Sequence, residues 1–284
     1  MIYLYIAAAL ILLLALFVFM ILPRLKRSRP DSKPFLGVYY AHRGLHRNSS
    51  PAPENTLPAF EMAARAGYGI ELDTQLTRDG QVVVFHDETL ARACGTDRKI
   101  GELTYAELSQ FHLFGSYEHV PLFSEVLSVV AGRVPLIVEL KSHNRLKETT
   151  DKTLDLLEKY SGVYCIESFH PLMLLRVRRR MPKALRGQLS SRRVKPDGIG
   201  IKIPAVVSLL GVMLGNLCFN FLARPDFIAY RYDTAKTVGL RLCKRLGAPI
   251  MVAWTVRLQE DFEKTAKEYN MVIFEGFIPP AMIK

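Results

Sequence analysis

Pro135-Leu136-Ile137-Val138-Glu139-Leu140-Lys141 is a run of apolar residues interrupted by a glutamate near its end. A strand with one wet face alternates apolar and polar residues, whereas this run is apolar on both sides, as in a parallel strand covered on both faces. Residues 82–85 (VVVF), 251–255 (MVAWT) and 271–274 (MVIF) have the same character. With residues 38–41, 69–72, 163–166, 185–189 and 227–230, they make nine strand candidates. Helical periodicity lies between most of them, over 56–66, 123–130, 146–160, 172–180, 234–246 and 259–269. Strands alternating with helices predict a parallel sheet, and about eight such units predict a closed (β/α)8 TIM barrel. Residues 37–284 are expected to form it, with one surplus strand as a shared unit or a local irregularity. Residues 88–121 are too long for an ordinary connection and predict a small insertion.

Residues 1–22 carry no charged side chain. A helix of that length is about 33 Å long and crosses a hydrocarbon core of roughly 30 Å. Arg24, Lys26, Arg27, Arg29 and Lys33 follow it in a linker over 23–36. Basic residues remain cytoplasmic, so a single-pass anchor in the cell membrane with a cytoplasmic barrel is expected; the alternative is an atypical signal sequence facing outward. The formal net charge is +11, with a second basic cluster at Arg176, Arg178, Arg179, Arg180, Lys183 and Arg186. An anionic membrane surface accounts for this balance without nucleic acid, for which no aromatic-interleaved basic motif is present. Cys94, Cys165, Cys218 and Cys243 are scattered and read as reduced, packed thiols. The apolar stretch 203–223 is broken by Pro204, Gly211, Gly215, Asn216 and Asn220. A second crossing there would split the barrel, so a helix buried in the core or lying against the membrane is expected.

Glu71 and Asp73 are two residues apart and share one side of a strand. They are expected at its C-terminal end, where barrels carry their active sites. Two carboxylates on one face call for a cation, and a hard divalent ion, Ca²⁺ or Mg²⁺, prefers oxygen ligands; a solvated pair or arginine partners are the alternatives. Glu139 repeats the geometry and offers a third oxygen, with Lys141 beside it to hold a phosphate charge or to form a structural ion pair. His42 and His86 end strand candidates at the same rim, and an imidazole suits proton transfer near neutral pH. His46, His112, His119, His143 and His170 lack such placement and read as surface or loop residues. Arg43 can present a bidentate fork to a phosphate, and Gly44 permits a sharp turn. In Pro53-Glu54-Asn55-Thr56, Asn55 or Thr56 reads as a helix cap that aims Glu54 at the site. Trp254 ends a strand, lining the pocket or packing in the core.

These residues stand in the order AHRG (41–44), PENT (53–56), ELD (71–73), FHD (85–87), ELK (139–141), SF (168–169) and WT (254–255). That series resembles the glycerophosphodiester phosphodiesterase family over nearly all of 37–284. The resemblance implies a TIM barrel and metal-dependent hydrolysis of a glycerophosphodiester to an alcohol and glycerol 3-phosphate. It further implies His42 and His86 as general acid and base, and Glu71, Asp73 and Glu139 as ligands of one divalent ion. Arg43 and Lys141 correspond to phosphate contacts, Glu54 to the same shell, and Phe169 and Trp254 to the pocket lining. Two positions depart from the pattern. Arg257 stands where the family often has Asn, and Glu275 where an Asp is usual; both bear on the leaving group and not on the reaction. The attacking oxygen is the substrate's own 2-hydroxyl or water. A lysophospholipase D-like enzyme acting on membrane lysophospholipids is the nearest alternative, and a non-catalytic, membrane-tethered lipid-binding protein a more distant one.

Overall fold

The computed structural model describes residues 1–194 and 203–280, so residues 195–202 and 281–284 of the expected barrel lie outside the described residues. Helix α1 (Ile2–Ile21) is followed by β1 (Tyr39–His42), α2 (Leu57–Arg65), β2 (Gly69–Leu76) and β3 (Val82–Val84). Short helices α3 (Ala91–Cys94) and α4 (Tyr105–Leu108) precede α5 (Phe123–Val130), β4 (Leu136–Leu140), α6 (Leu146–Leu157), β5 (Tyr164–Ser168), α7 (Pro171–Arg180) and β6 (Arg186–Ser190). The chain closes through α8 (Pro204–Gly215), α9 (Asn220–Ala223), β7 (Phe227–Arg231), α10 (Val238–Gly247), β8 (Ile250–Val256), α11 (Gln259–Glu268) and β9 (Met271–Phe274).

The sheet runs β1-β9-β8-β7-β6-β5-β4-β2, and β1 pairs with β2 to close it. These eight strands are parallel, the (β/α)8 architecture anticipated from the apolar runs. The barrel interior is filled by Phe35, Tyr40, Ile137, Leu189, Phe227, Val252 and their neighbours. A second core joins β2 and β4 to α2, α5 and α7 through Phe60, Leu72, Phe123, Val138 and Val177.

Residues 82–84 are the surplus strand, and they correct the expectation of a parallel strand there. Strand β2 runs on past Asp73 to Leu76, and β3 folds back on it antiparallel. Its apolar composition has a different cause: Val82 and Val84 face the main core, while Val83 and Phe85 face a separate core with Leu90, Ile100, Leu103 and Leu113. That separate core is the expected insertion.

Helix α10 starts at Val238 instead of 234, because Thr237 caps it by accepting from the Leu240 amide. Residues 203–223 do not form one helix. They divide into α8 and α9, and of α8 only Gly211, Leu214 and Gly215 are buried, which removes the core-helix reading. Helix α1 is 20 residues long and exposed over almost its whole length. All four cysteines are free thiols, and all but Cys94 are buried.

Candidate active site

Residues in register across parallel strands lie at one level of the barrel, and here they stack carboxylates. Asp73 on β2 pairs with Glu139 on β4, which pairs with Glu167 on β5; His42 on β1 pairs with Glu71. One oxygen each from Glu71, Asp73 and Glu139 lies within 4.8 Å of the others, and all three side chains are buried. Glu71 and Glu139 line a cavity of about 390 Å³ together with His42, Arg43, His86, Glu167, Phe169 and Trp254. Because β2 continues to Leu76, Glu71 and Asp73 do not end their strand; they sit level with the ends of β1 and β4 instead.

The hairpin that lengthens β2 also delivers His86. The Phe85 amide donates to Asp73 O at 2.9 Å, and Gln75 Nε2 donates to the carbonyls of Phe85 and Asp87. His86 therefore returns to the rim from an antiparallel strand rather than from a barrel strand end.

Each catalytic-type histidine is backed by a carboxylate. His42 Nδ1–H donates to Glu275 Oε2 at 2.8 Å, which leaves Nε2 facing the cavity 3.8 Å from Glu71. His86 Nδ1–H donates to Asp87 Oδ1 at 2.6 Å. A carboxylate only accepts, so this arrangement fixes the tautomer and presents Nε2 to a ligand. Burial lowers the His42 pKa to about 4, although the Glu275 hydrogen bond opposes that shift. His86 is lowered by burial as well, against the pull of Asp73. Burial alone would raise Glu275, but the His42 hydrogen bond holds it down at about 2. Glu275 thus touches His42 directly, so its contacts reach beyond the leaving-group side expected for it. Arg257 pairs with the same carboxylate at 2.7 Å.

Arg43 has φ +57° and Gly44 φ +85°, and this turn swings the guanidinium back over the barrel end. Arg43 NH1 donates to Glu54 at 2.7 Å, and its Nε lies 3.2 Å from Asp73. Lys141 Nζ donates to Glu139 at 3.0 Å and lies 3.3 Å from Asp73 Oδ1. Glu54 does not line the cavity. It sits behind Arg43, where Arg43, Arg92 and Asn48 bind it and hold its carboxyl down at about 2 against its burial. Thr56 occupies the start of α2 without a side-chain cap, and Asn55, at φ +56°, donates to Asp73 Oδ2 at 2.9 Å. Asn55 therefore orients a carboxylate of the site and does not cap the helix. Trp254 lines the cavity edge-on to Phe169, with ring centroids 5.6 Å apart.

Burial raises Glu71 and Glu167 well above the usual carboxylate range, and neighbouring carboxylates add to the effect. Burial likewise raises Glu139 to about 7, although Lys141 opposes it. Asp73 is lowered in spite of its burial, by Lys141, His86 and Arg43. Its Oδ1 accepts no hydrogen bond. An all-oxygen donor set this crowded, with one buried oxygen held only by the ion pair to Lys141, fits a hard divalent cation.

Glu167, Arg92 and the hydrogen bond from His42 to Glu275 were not anticipated from sequence. Glu167 was signalled by its spacing, since it lies two residues before Phe169 and so on the same strand face. Arg92, on the insertion, grips Glu54 and Asp87 together at 2.7–2.9 Å, and nothing local marks it. His46 and His170 have largely buried side chains, contrary to a surface reading, and His170 Nδ1 accepts from the Leu172 amide at the start of α7.

A parallel eight-stranded barrel with an acidic, two-histidine site at its C-terminal rim defines a TIM-barrel protein with a candidate metal cluster beside Arg43 and Lys141. Residues 42–271 match the model of the glycerophosphoryl diester phosphodiesterase family. The chain belongs to that family, which places it among the glycerophosphodiester phosphodiesterases. A glycerophosphodiester phosphodiesterase of Caldanaerobacter subterraneus is 29% identical over 239 residues, covering 80% of this chain and 88% of the relative. A human lysophospholipase D is 31% identical over 152 residues, about half of each chain (49% and 46%). The fold matches that of an Oleispira antarctica phosphodiesterase solved in complex with the product sn-glycerol-3-phosphate, with a TM-score of 0.66, 23% identity and coverage of 84% and 93%.

Proposed function

We propose that the protein is a membrane-tethered, metal-dependent phosphodiesterase that cleaves glycerophosphodiesters to an alcohol and sn-glycerol 3-phosphate. The observation that carries this reading is the pair of carboxylate-backed histidines facing one cavity across the Glu71–Asp73–Glu139 cluster. Those three carboxylates would hold one divalent ion, Ca²⁺ or Mg²⁺, which when bound supplies positive charge beside the phosphoryl oxygens. Arg43 and Lys141 bring further cations to the same anion. They bind the diester and favour the charge that grows on its oxygens. The two imidazoles transfer the protons: one ring takes a proton from the attacking oxygen at Nε2, and the other returns one to the departing alkoxide. Glu275 and Asp87 keep each Nδ1 protonated, so each Nε2 is free for this work. The attacking oxygen is the substrate's own 2-hydroxyl, giving a cyclic phosphate, or water.

Helix α1 and the basic linker support a single-pass anchor with the barrel on the cytoplasmic side. A second reading, hydrolysis of lysophospholipids, is favoured by the apolar part of the cavity lining, Phe169, Leu189, Trp254 and Leu258. The likeness to the human lysophospholipase D supports it too.

The test is purified full-length chain, with and without residues 1–33, assayed on glycerophosphocholine and lysophosphatidylcholine in Ca²⁺, Mg²⁺ or EDTA. Metal-dependent release of glycerol 3-phosphate supports the first reading, and release of choline from the lysolipid supports the second. No hydrolysis of any diester in either metal rejects both. His42→Ala and His86→Ala are each expected to lower kcat about 10²–10⁴-fold with the fold intact; wild-type turnover by either mutant removes that residue's role.

A further inference from the structure

Helix α8 leaves apolar side chains in water that the fold could have covered. The 21 residues from 203 to 223 contain no charged side chain, yet Ile203 and Leu209 are about 60% exposed and Val212 is 40% exposed. Gly211 and Gly215 seat the helix: a Cβ at either would meet the carbonyls of Val194 or Arg192 at 2.6 and 2.3 Å. One face is thus pressed on the 191–194 segment, and Leu209 is left on the other. At 12 residues α8 is about 18 Å long, too short to cross a bilayer. It can lie along a bilayer surface only with charge supplied by its neighbours, because its own sequence has none.

Its position supports the same occupant. Ser190 Oγ donates to Leu214 O, and Tyr230 OH donates to Gly215 O, so α8 is fastened to the rim between β6 and β7. Leu189 of β6 and Tyr232, just past β7, line the cavity. The next helix, α9, receives the end of α1: Asn220 Nδ2 donates to Ile21 O, and Phe221 meets Phe19 with centroids 5.9 Å apart. The membrane-length helix and the exposed apolar helix are therefore carried by one sector of the wall.

Charge points the same way. Residues 171–248 hold sixteen Lys and Arg against three Asp, a net +13 that leaves −2 for the rest of the +11 chain. Among the described residues, Arg178, Arg179, Arg192, Arg241, Lys244 and Arg245 have no carboxylate within ion-pair distance. Arg192 lies on the segment α8 packs against, and the others lie on α7 and α10, which pack on α9 and α1; unpaired cations in this sector match an anionic lipid surface.

We propose that α8 inserts into the headgroup and upper acyl region of an anionic bilayer, as a second membrane contact that holds the β6–β7 side of the cavity against the lipid. The idea uses the reading of α1 as an anchor for its arrangement, but its test does not depend on catalysis. Full-length chain carrying Leu209→Trp is reconstituted into phosphatidylcholine–phosphatidylglycerol vesicles with bromine on the upper acyl chains. Its fluorescence is compared with that of the parent chain, whose single tryptophan is Trp254. Quenching of the added emission several-fold beyond that of Trp254 is expected, with Val212→Trp as a second reporter should the first fail to fold. Quenching no greater than that of Trp254 in the folded reporter overturns the proposal. If no diester is hydrolysed by any preparation but the quenching is present, the proposed function fails and this inference stands.

Discussion

Glu275→Gln isolates the contribution of one charge to the site. The amide keeps an oxygen to accept from His42 Nδ1, so the ring stays in place, but its partner no longer carries the charge that favours an imidazolium. Hydrogen bonds to a charged group contribute about 1.5–3 kcal/mol and neutral ones about 0.5–1.5. The difference, roughly 1–2 kcal/mol, corresponds to about a 5–30-fold fall in kcat. Glu275 has a side chain only 22% exposed and a 2.8 Å contact, so solvent screening removes little of this. The sign on pH follows from the same contact: the Glu275 hydrogen bond raises His42 against its burial. Removing the charge lowers the His42 pKa further, and the acid limb of kcat/KM moves to lower pH. The assay is glycerol 3-phosphate release from glycerophosphocholine across pH, with KM expected to stay within about twofold because substrate contacts are retained. Arg257→Ala is the comparison: Arg257 is 60% exposed and shares Glu275 Oε2 with His42, so its loss keeps the carboxylate charge and a smaller fall in kcat is expected. Wild-type kcat together with an unmoved acid limb in Glu275→Gln refutes the positioning role.

Arg92→Ala should free Glu54 and Asp87 together, and with them the settings of Arg43 and His86. A fall of about tenfold or more in kcat/KM is expected, and an unchanged value refutes the clamp. Gly44→Ala places a Cβ 2.8 Å from the Ala59 carbonyl carbon at φ +85°; a loss of about 1–3 kcal/mol in urea unfolding is expected, and wild-type stability refutes it. Metal binding should depend on pH in a stated direction. Glu139 is raised to about 7, above its unfolded value near 4.3, so the metal-free native state holds more protons than the unfolded state between those limits. Metal-free stability from this group therefore falls as pH rises through that window, by up to about 4 kcal/mol. A divalent ion needs the ionised carboxylates, so its stabilisation should be larger at about pH 8 than at about pH 5. Equal shifts in Tm with Ca²⁺ or Mg²⁺ at the two values refute the cluster as the metal site.

The barrel was legible in the sequence because burial on both faces leaves an unmistakable apolar run, and the rim carboxylates were legible because Glu71, Asp73 and Glu139 interrupt such runs. Residues 82–85 show the limit of that signal. Two different cores cover the two faces of β3, and the composition does not distinguish a helix layer from an insertion. Asn55 shows another: a residue type suited to capping was claimed by a carboxylate from a strand 18 positions away. Glu275 and Arg92 act across 233 and 38 residues of chain, and no periodicity reports a contact of that range. Partners brought together only by closure of the barrel are set by tertiary geometry, so local patterns could place the histidines but not what holds them.

The two histidines reach the rim by unlike routes, and this bears on how the site tolerates change. His42 ends a barrel strand and is buttressed by Glu275 just beyond β9, the neighbouring strand, so its setting depends on the barrel itself. His86 comes back on a hairpin whose outer face is covered by the insertion, and Arg92 from that insertion holds Asp87 and Glu54. Substitutions in the insertion core, at Leu90 or Ile100, should therefore loosen His86 and leave His42 in place. The carboxylates lie between these supports on β2 and β4, which belong to the best-buried part of the sheet. The setting of His86 is thus the feature of the site most open to adjustment by residues of the insertion, while the oxygen cluster changes only with the barrel.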